Sequence, residues 1–102
     1  MWIIKPSRLR AFAVRHPLAA PALERWLIVA AKARWSSLAD IRRVFPGADE
    51  VRVASGRKAV IFNINGNRFR LITAIHYNTR KVFVMLFFTH AEYDSQSWKD
   101  QL

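Results

Sequence analysis

The sequence predicts an α+β fold in which N-terminal helices pack on a small, mainly antiparallel sheet. Two observations predict it. An apolar stripe with i, i+3, i+4, i+7 spacing runs from Leu23 to Ala30 in the first half of the chain, which is typical of a helix. The second half holds apolar runs separated by turn residues, including Asn65–Gly66, which is typical of strands. Since 102 residues suffice for one hydrophobic core and are too few for two, residues 1–102 are expected to form a single domain.

The N-terminal region is predicted to contain one short strand and two longer helices. The strand is Trp2–Ile4, and Ser7 is expected to cap a helix that continues to about residue 15, just before a proline. In the second helix, Pro21 suits the first turn, because its missing N–H has no partner there in any case. This helix should end near residues 34–35.

A third, short helix and four strands complete the prediction. Ser37 followed by Asp40 is a capping-box pattern, and Pro46–Gly47 should end the helix that it opens. The strands expected after it are Val51–Ala54, Arg57–Ile64, Arg68–Tyr77 and Lys81–Thr89, with a final helical turn over Ser95–Gln101.

Turn lengths predict how the strands pair. A two-residue turn at Asn65–Gly66 would set Asn63 opposite Arg68 and Ile61 opposite Arg70. The side chains expected on the face away from the helices are Asn63, Arg68, Arg70, Ile72 and His76, and a two-residue turn at Asn78–Thr79 would add Lys81, Phe83, Met85 and Phe87. A basic face with aromatic residues between the charges is typical of proteins that grip phosphates and stack bases.

Composition indicates a polyanion as partner. Lys and Arg number 17 against 7 for Asp and Glu, a formal net charge of +10 that is spread over the chain. No helix has the dedicated basic face that would indicate binding to a membrane surface. The longest apolar run, Val82–Phe88, is far shorter than the roughly 20 residues of a membrane span. There is no cysteine, so disulfides and thiolate metal sites are excluded and a cytoplasmic location is expected.

The chemistry of RNA cleavage fits residues gathered at strand ends. An RNase without a metal needs a base for the 2′-hydroxyl, an acid for the departing 5′-oxygen and a positive charge for the transition state. Arg70 can hold the phosphate, His90 can transfer a proton, and Glu92 and Tyr93 lie within a turn of it. His90 and Glu92 have no third ligand at a recognisable spacing, so neither a metal nor another cofactor is expected.

Each of these residues also has an ordinary interpretation. Arg68 and Arg70 could form a solvated strand face, and only the pairing with Asn63 favours phosphate binding. His90 alone is more often a hydrogen-bonding residue at a loop end. Three further basic residues are solvated or support RNA binding: Arg57, Lys58 and Lys81.

With these positions in hand, the sequence resembles the HigB-type mRNA interferase toxins of the RelE-like superfamily. The shared elements are His16-Pro17, Ala33-x-Trp35, Ala39-Asp40-Ile41, Phe45-Pro46, Phe62-Asn63-Ile64-x-Gly66-Asn67, Arg70-Leu71, Ile75-His76-Tyr77 and Thr89 to Asp94. Together, in this order and spacing, they cover nearly the whole chain.

The resemblance implies a RelE-like fold and cleavage of mRNA on the ribosome by a type II toxin. It also implies a helix-turn-helix antitoxin of the HigA type, whose complex with the toxin binds operator DNA. Arg70 matches the catalytic strand arginine of RelE-like toxins, and His90 and Tyr93 lie near their C-terminal catalytic group. RelE carries lysines where this chain has Ile61 and Asn63, so the proton-transfer role falls to His90. Two competing interpretations are a non-catalytic RNA-binding module and a toxin-like fold kept as a protein-interaction partner.

Overall fold

Four helices and five strands make up the computed structural model, which describes all of residues 1–102. In chain order they are β1 (Trp2–Ile4), α1 (Ser7–Arg15), α2 (Ala20–Lys32), α3 (Leu38–Val44), β2 (Asp49–Arg52), β3 (Lys58–Ile64), β4 (Phe69–His76), β5 (Lys81–Thr89) and α4 (His90–Asp94), with 3-10 turns at Pro17–Ala19 and Ser97–Gln101. None of the helices has the length and apolar composition that a bilayer crossing requires.

The strands form one sheet in the order β1-β5-β4-β3-β2. The four strands from β2 to β5 pair antiparallel with their neighbours, and β1 adds to the edge of β5 in parallel. The predicted α+β class, with helices on a mainly antiparallel sheet, is therefore confirmed.

Several predicted element ends differ from the structure. Ser7 makes no capping hydrogen bond, because it already lies inside α1, whose N-cap is Pro6. The second helix stops at Lys32, where Ala33 turns to an extended conformation. The second strand lies two residues earlier than predicted, at Asp49–Arg52. The helix α4 was not predicted at all.

The helices α1, α2 and α3 cover one face of the sheet. Leu23, Trp26 and Ala30, all part of the predicted α2 stripe, are buried there. The ring of Phe62 on β3 packs against three aromatic rings from the helical layer and its loops, with centroids 5.3 to 6.0 Å apart: Trp26, Trp35 and Phe45. These aromatic contacts pack β3 against the helical layer.

The hairpin between β3 and β4 has a different register from the predicted one. Asn65 and Gly66 do have positive φ, but Ile64 pairs with Phe69, so the connection holds four residues and not two. Asn63 is consequently opposite Arg70. Because side chains alternate with a period of two, this two-residue shift leaves each side chain on its predicted face.

A β-bulge on β5 overturns one further prediction. Thr73 pairs with Val84 whereas Ile72 pairs with Leu86, so one residue of β5 is left over between them. From that point the strand presents its side chains to the opposite faces. Phe87 was expected on the outer face, but it is buried under the helices and stacks on Phe12, with ring centroids 5.4 Å apart.

The outer face of the sheet is not an open surface. Ile72, which was expected to face outward into solvent, is fully buried, with 0% of its surface exposed. The predicted C-terminal turn folds back over this face and inserts Trp98, whose cluster also contains Val53, Ala59 and Ile61. The part of this face around Ile72 is therefore covered by the chain itself.

Candidate active site

Arg70 lies on β4, the central strand, and only 9% of its surface is exposed. Its guanidinium donates hydrogen bonds to three neutral oxygens: the backbone carbonyls of Asn67 (3.2 Å) and Phe69 (3.1 Å) and the side-chain Oδ1 of Asn67 (2.5 Å). No carboxylate pairs with it. The site thus contains a nearly buried positive charge that has no counter-ion within the chain.

The short helix α4 begins where β5 ends and brings the C-terminal group to Arg70. Thr89 Oγ1 accepts the backbone N–H of Glu92 (3.2 Å), and the Glu92 carboxylate accepts the backbone N–H of Thr89 (2.9 Å), so the two residues form a capping box. The Thr89 N–H holds the pKa of the Glu92 carboxyl below its usual value. Glu92 therefore stabilises the start of the helix that carries His90 and Tyr93.

His90 is the first residue of α4. Its Nδ1 lies 2.9 Å from the Asp94 carboxylate, one helical turn further on. The other ring nitrogen, Nε2, has no hydrogen-bond partner within the chain and is free to contact a ligand. The backbone N–H of His90 donates to the carbonyl of Arg68 (2.9 Å), which ties α4 to the entry of β4.

Tyr93 lies between Arg70 and the cluster of buried residues around Trp98. The guanidinium carbon of Arg70 is 5.7 Å from the centre of the Tyr93 ring, and this ring stacks on Trp98 with centroids 5.3 Å apart. Burial raises the pKa of the Tyr93 phenol, and the negative charge of Asp49 adds to this against the opposing effect of Arg70. The phenol is therefore protonated at neutral pH and can donate a proton or a hydrogen bond.

Asn63 is opposite Arg70 in the β3–β4 ladder, but its side-chain amide makes no hydrogen bond with the Arg70 guanidinium. A Cβ added to Gly47 would lie 2.5 Å from Asn63 Nδ2, so the amide lies against this glycine. The Asn63 side chain also borders a cavity of about 340 Å³ that Phe45 and Arg25 help to line. Asn63 is thus next to Arg70 in the ladder, while its side chain contacts Gly47 and the neighbouring cavity.

Arg68 lies in the turn before β4 and is exposed, unlike Arg70. Its backbone carbonyl binds the start of α4, while its guanidinium makes no hydrogen bond or ion pair within the chain. Six of the predicted residues therefore meet at one end of the sheet and are called the proximal group here: Asn63, Arg68, Arg70, His90, Glu92 and Tyr93.

Three predicted RNA-binding residues lie apart and form the distal group: Arg57, Lys58 and Lys81. Lys58 is five strand positions from Asn63, about 16 Å at the usual rise per residue. It is 3.5 Å from the Glu50 carboxylate, and the Lys81 ammonium lies 5.6 Å from the centre of the Trp2 ring. Arg57 and Lys58 border the same surface depression as His76. The distal group can therefore touch a long ligand but not the reacting atoms.

Three residues that the sequence did not single out complete the proximal group. Asn67 holds the Arg70 guanidinium, Asp94 holds His90, and Trp98 supports Tyr93. Asp94 follows His90 at i+4, so the Thr89-x-x-Glu92 capping pattern, which marks a helix start, could have indicated this pair. No local pattern marks Asn67 or Trp98, because both act through contacts that depend on the turn and the sheet.

The geometry brings a guanidinium, an imidazole and a protonated phenol to one end of the sheet. These are the group types that stabilise a pentavalent phosphate and transfer protons to and from it. Nowhere in the structure do three or more His, Asp or Glu side chains converge as they would to ligate a metal.

Comparison with known proteins identifies similar chains. Residues 19–96 match the family model of the HigB toxin, described as the RelE-like toxic component of a toxin-antitoxin system. The mRNA interferase toxin HigB of Escherichia coli strain K12 is 26% identical over 94 residues, which cover 92% of this chain and 88% of that protein. The mRNA interferase HigB of Escherichia coli O6:H1 is 29% identical over 94 residues, covering 92% of this chain and 89% of that protein.

The capping box predicts a pH-dependent contribution of Glu92 to stability. Because the folded-state pKa is depressed, the contribution is present above the unfolded-state value of about 4.5 and is lost as the pH falls through the folded-state value. In urea unfolding, the free energy difference between wild type and Glu92→Gln should therefore be largest near neutral pH and shrink under acid. Glu24→Gln, which removes an exposed carboxyl on α2, is the control. A difference independent of pH would contradict the assignment.

Proposed function

The chain belongs to the HigB family of RelE-like toxins, and we propose from this that it is a type II toxin that cleaves mRNA as an endoribonuclease. Curated relatives that share 26 to 29% of its residues are named mRNA interferases. One observation carries the proposal for this chain, namely the guanidinium of Arg70, nearly buried and without a counter-ion.

A guanidinium in this environment is a strong site for an anion. Removing an arginine from water without an ionic partner is costly, and its hydrogen bonds to Asn67 and Phe69 offset only part of this cost. The hydrogen bonds use both terminal nitrogens, Nη1 and Nη2, and leave Nε without a partner in the chain. A phosphate that binds the remaining donors would supply the missing charge, and a phosphorane, which carries more negative charge, would be held more tightly still.

The acid and base are assigned to α4. His90, oriented by Asp94, can take the proton of the 2′-hydroxyl or return one to the leaving 5′-oxygen through its free Nε2. Tyr93, kept protonated by its environment, is suited to donate and not to abstract. The substrate itself supplies the nucleophile, so we infer a reaction that requires neither a metal nor a protein nucleophile.

The remaining residues hold the RNA chain. We assign Arg68 and Asn63 to the nucleotides next to the scissile phosphate, and Arg57, Lys58 and Lys81 to phosphates further along the RNA or on the ribosome. Glu92 was predicted to contact RNA, but its carboxylate accepts the Thr89 N–H and would repel a phosphate. We therefore assign Glu92 to the support of α4.

A protein partner follows from the family, since a toxin of this class works with an antitoxin. We propose a helix-turn-helix antitoxin of the HigA type that binds operator DNA, with an acidic surface that complements the charge of +10. Association should then slow as ionic strength rises. We also propose that the toxin acts on mRNA bound to the ribosome, within the cytoplasm.

Cleavage products test the proposed activity. We expect purified toxin, with ribosomes present, to leave 2′,3′-cyclic or 3′-phosphate ends, and cleavage to persist in EDTA. A 2′-deoxy substitution at the cleaved nucleotide should block the reaction, because it removes the nucleophile. Cleavage of the deoxy substrate would refute the mechanism. Tight binding of the unmodified RNA without its cleavage, with or without EDTA, would favour a non-catalytic RNA-binding module.

Arg70 and Arg68 should separate catalysis from binding. Loss of a transition-state contact costs about 3 to 4 kcal/mol, so Arg70→Ala should lower kcat by roughly a hundredfold to a thousandfold. Arg68→Ala should instead weaken RNA binding and reduce its salt dependence by about one counter-ion. Because Arg70 is buried without a counter-ion, Arg70→Met should also be as stable as wild type in thermal unfolding, or more so. Parental kcat in a folded Arg70→Ala protein would reject the assignment.

The histidine assignment has a matched control. His90→Gln keeps hydrogen bonding but cannot transfer a proton. The rate constant of cleavage in single-turnover assays should therefore fall by roughly two to four orders of magnitude. Asp94→Asn should cause a smaller loss, since it weakens only the orientation of the ring. His76→Gln, at the far end of β4, should leave kcat unchanged. Equal activity of His90→Gln and wild type would move the role to another residue of α4.

A further inference from the structure

Trp98 lies at the back of the proposed active site and is not among the residues matched by the family model, which end at 96. Only 1% of its surface is exposed. It belongs to the 3-10 turn Ser97–Gln101, which the Ala54 N–H anchors by a hydrogen bond to the carbonyl of Lys99 (3.2 Å). Gln96, with φ 65°, is left-handed and reverses the chain between α4 and this turn.

Two contacts join Trp98 to Tyr93. The indole Nε1 donates to the backbone carbonyl of Tyr93 (3.1 Å), and the two rings stack with an interplanar angle of 22° and centroids 5.3 Å apart. Backbone and side chain of Tyr93 are thus both held by one residue. The Tyr93 ring in turn lies beside the guanidinium of Arg70.

The helix α4 has little else to hold it in place. It is five residues long, and none of its side chains is buried. A helix of this length is not stable in isolation, so its position depends on external contacts. These are the capping box at Thr89, the hydrogen bond from His90 to the Arg68 carbonyl, and Trp98. At the C-terminal half of the helix, the Gln96 N–H and the Trp98 indole both donate to the Tyr93 carbonyl, and of these two residues only Trp98 also packs on the Tyr93 ring.

We propose that Trp98 is a positioning residue for catalysis, which fixes Tyr93 against Arg70 and thereby sets the geometry of the phosphate site. This role rests on the function proposed above for Arg70 and Tyr93. A residue that only filled the core would affect folding stability alone. A positioning residue must also change the environment of the Arg70 guanidinium and the rate of the chemical step.

The experiment compares Trp98→Leu and Trp98→Phe with Trp35→Leu, which removes another buried tryptophan from the helical side of the sheet. All three are expected to unfold at lower temperature than wild type, so activity is measured well below the transitions. Trp98→Leu should lower kcat by about tenfold to a hundredfold with little change in KM, because the substrate still binds but the groups are misplaced. Trp98→Phe keeps a stacking ring and should stay close to wild type. Trp35→Leu should retain the parental kcat.

A second measurement needs no activity. In ¹⁵N-resolved NMR, the Nε–H resonance of Arg70, assigned by its loss in Arg70→Lys, should be shifted upfield by the Tyr93 ring. Trp98→Leu should move it toward its position in Tyr93→Leu, whereas Trp98→Phe and Trp35→Leu should not. This result would support the positioning role even if the parent chain cleaved no RNA, an outcome that would reject only the proposed function. An unmoved resonance together with parental kcat in Trp98→Leu would overturn the positioning role. So would failure of both Trp98→Leu and Trp98→Met to fold, which would assign Trp98 to the core alone.

Discussion

A charged side chain on the central strand is the constraint around which this end of the molecule is arranged. Arg70 occupies the middle strand of five, in a sheet covered by helices on one face and by the C-terminal turn on the other. Desolvation of an unpaired guanidinium costs several kcal/mol. The turn before β4 contributes Asn67, α4 contributes Tyr93, and the last turn contributes Trp98. Each of these segments is irregular or short. Asn67 and Tyr93 contact the Arg70 guanidinium, and Trp98 contacts Tyr93.

The acidic residues are distributed so that they leave this charge uncompensated. Asp40, Asp49 and Glu50 pair with basic residues around α3 and β2, although Asp49 lies close enough to Tyr93 for its charge to raise the pKa of the phenol. At the site itself, Glu92 accepts a backbone N–H and Asp94 contacts His90. None of these carboxylates pairs with Arg70, so its charge remains available to an incoming phosphate.

The sequence predicted the faces of the sheet better than its registers, for a physical reason. Alternation along a strand survives a two-residue shift, so Asn63 and Arg70 were assigned to the correct face although the turn at Asn65 is longer than expected. The bulge beside Ile72 leaves no local signature, and it sent Phe87 to the opposite face. The burial of Ile72 depends on Trp98, which is distant in the sequence. In the site, His90 and Tyr93 stood out as polar residues at a strand end, while their supports Asn67 and Trp98 emerge only from tertiary contacts.

The parallel pairing of β1 with β5 bears on the order in which the chain folds. Trp2 pairs with Lys81 across most of the sequence, whereas β3, β4 and β5 are joined by short hairpins. Contacts between distant segments form more slowly than local ones, because the intervening chain must first lose its freedom. We therefore expect the meander from β3 to β5 to form first and the N-terminal edge strand to join afterwards. On this pathway, the arginine and the helix that follows β5 come together within the early nucleus, and the docking of β1 completes a sheet whose reactive end is already assembled.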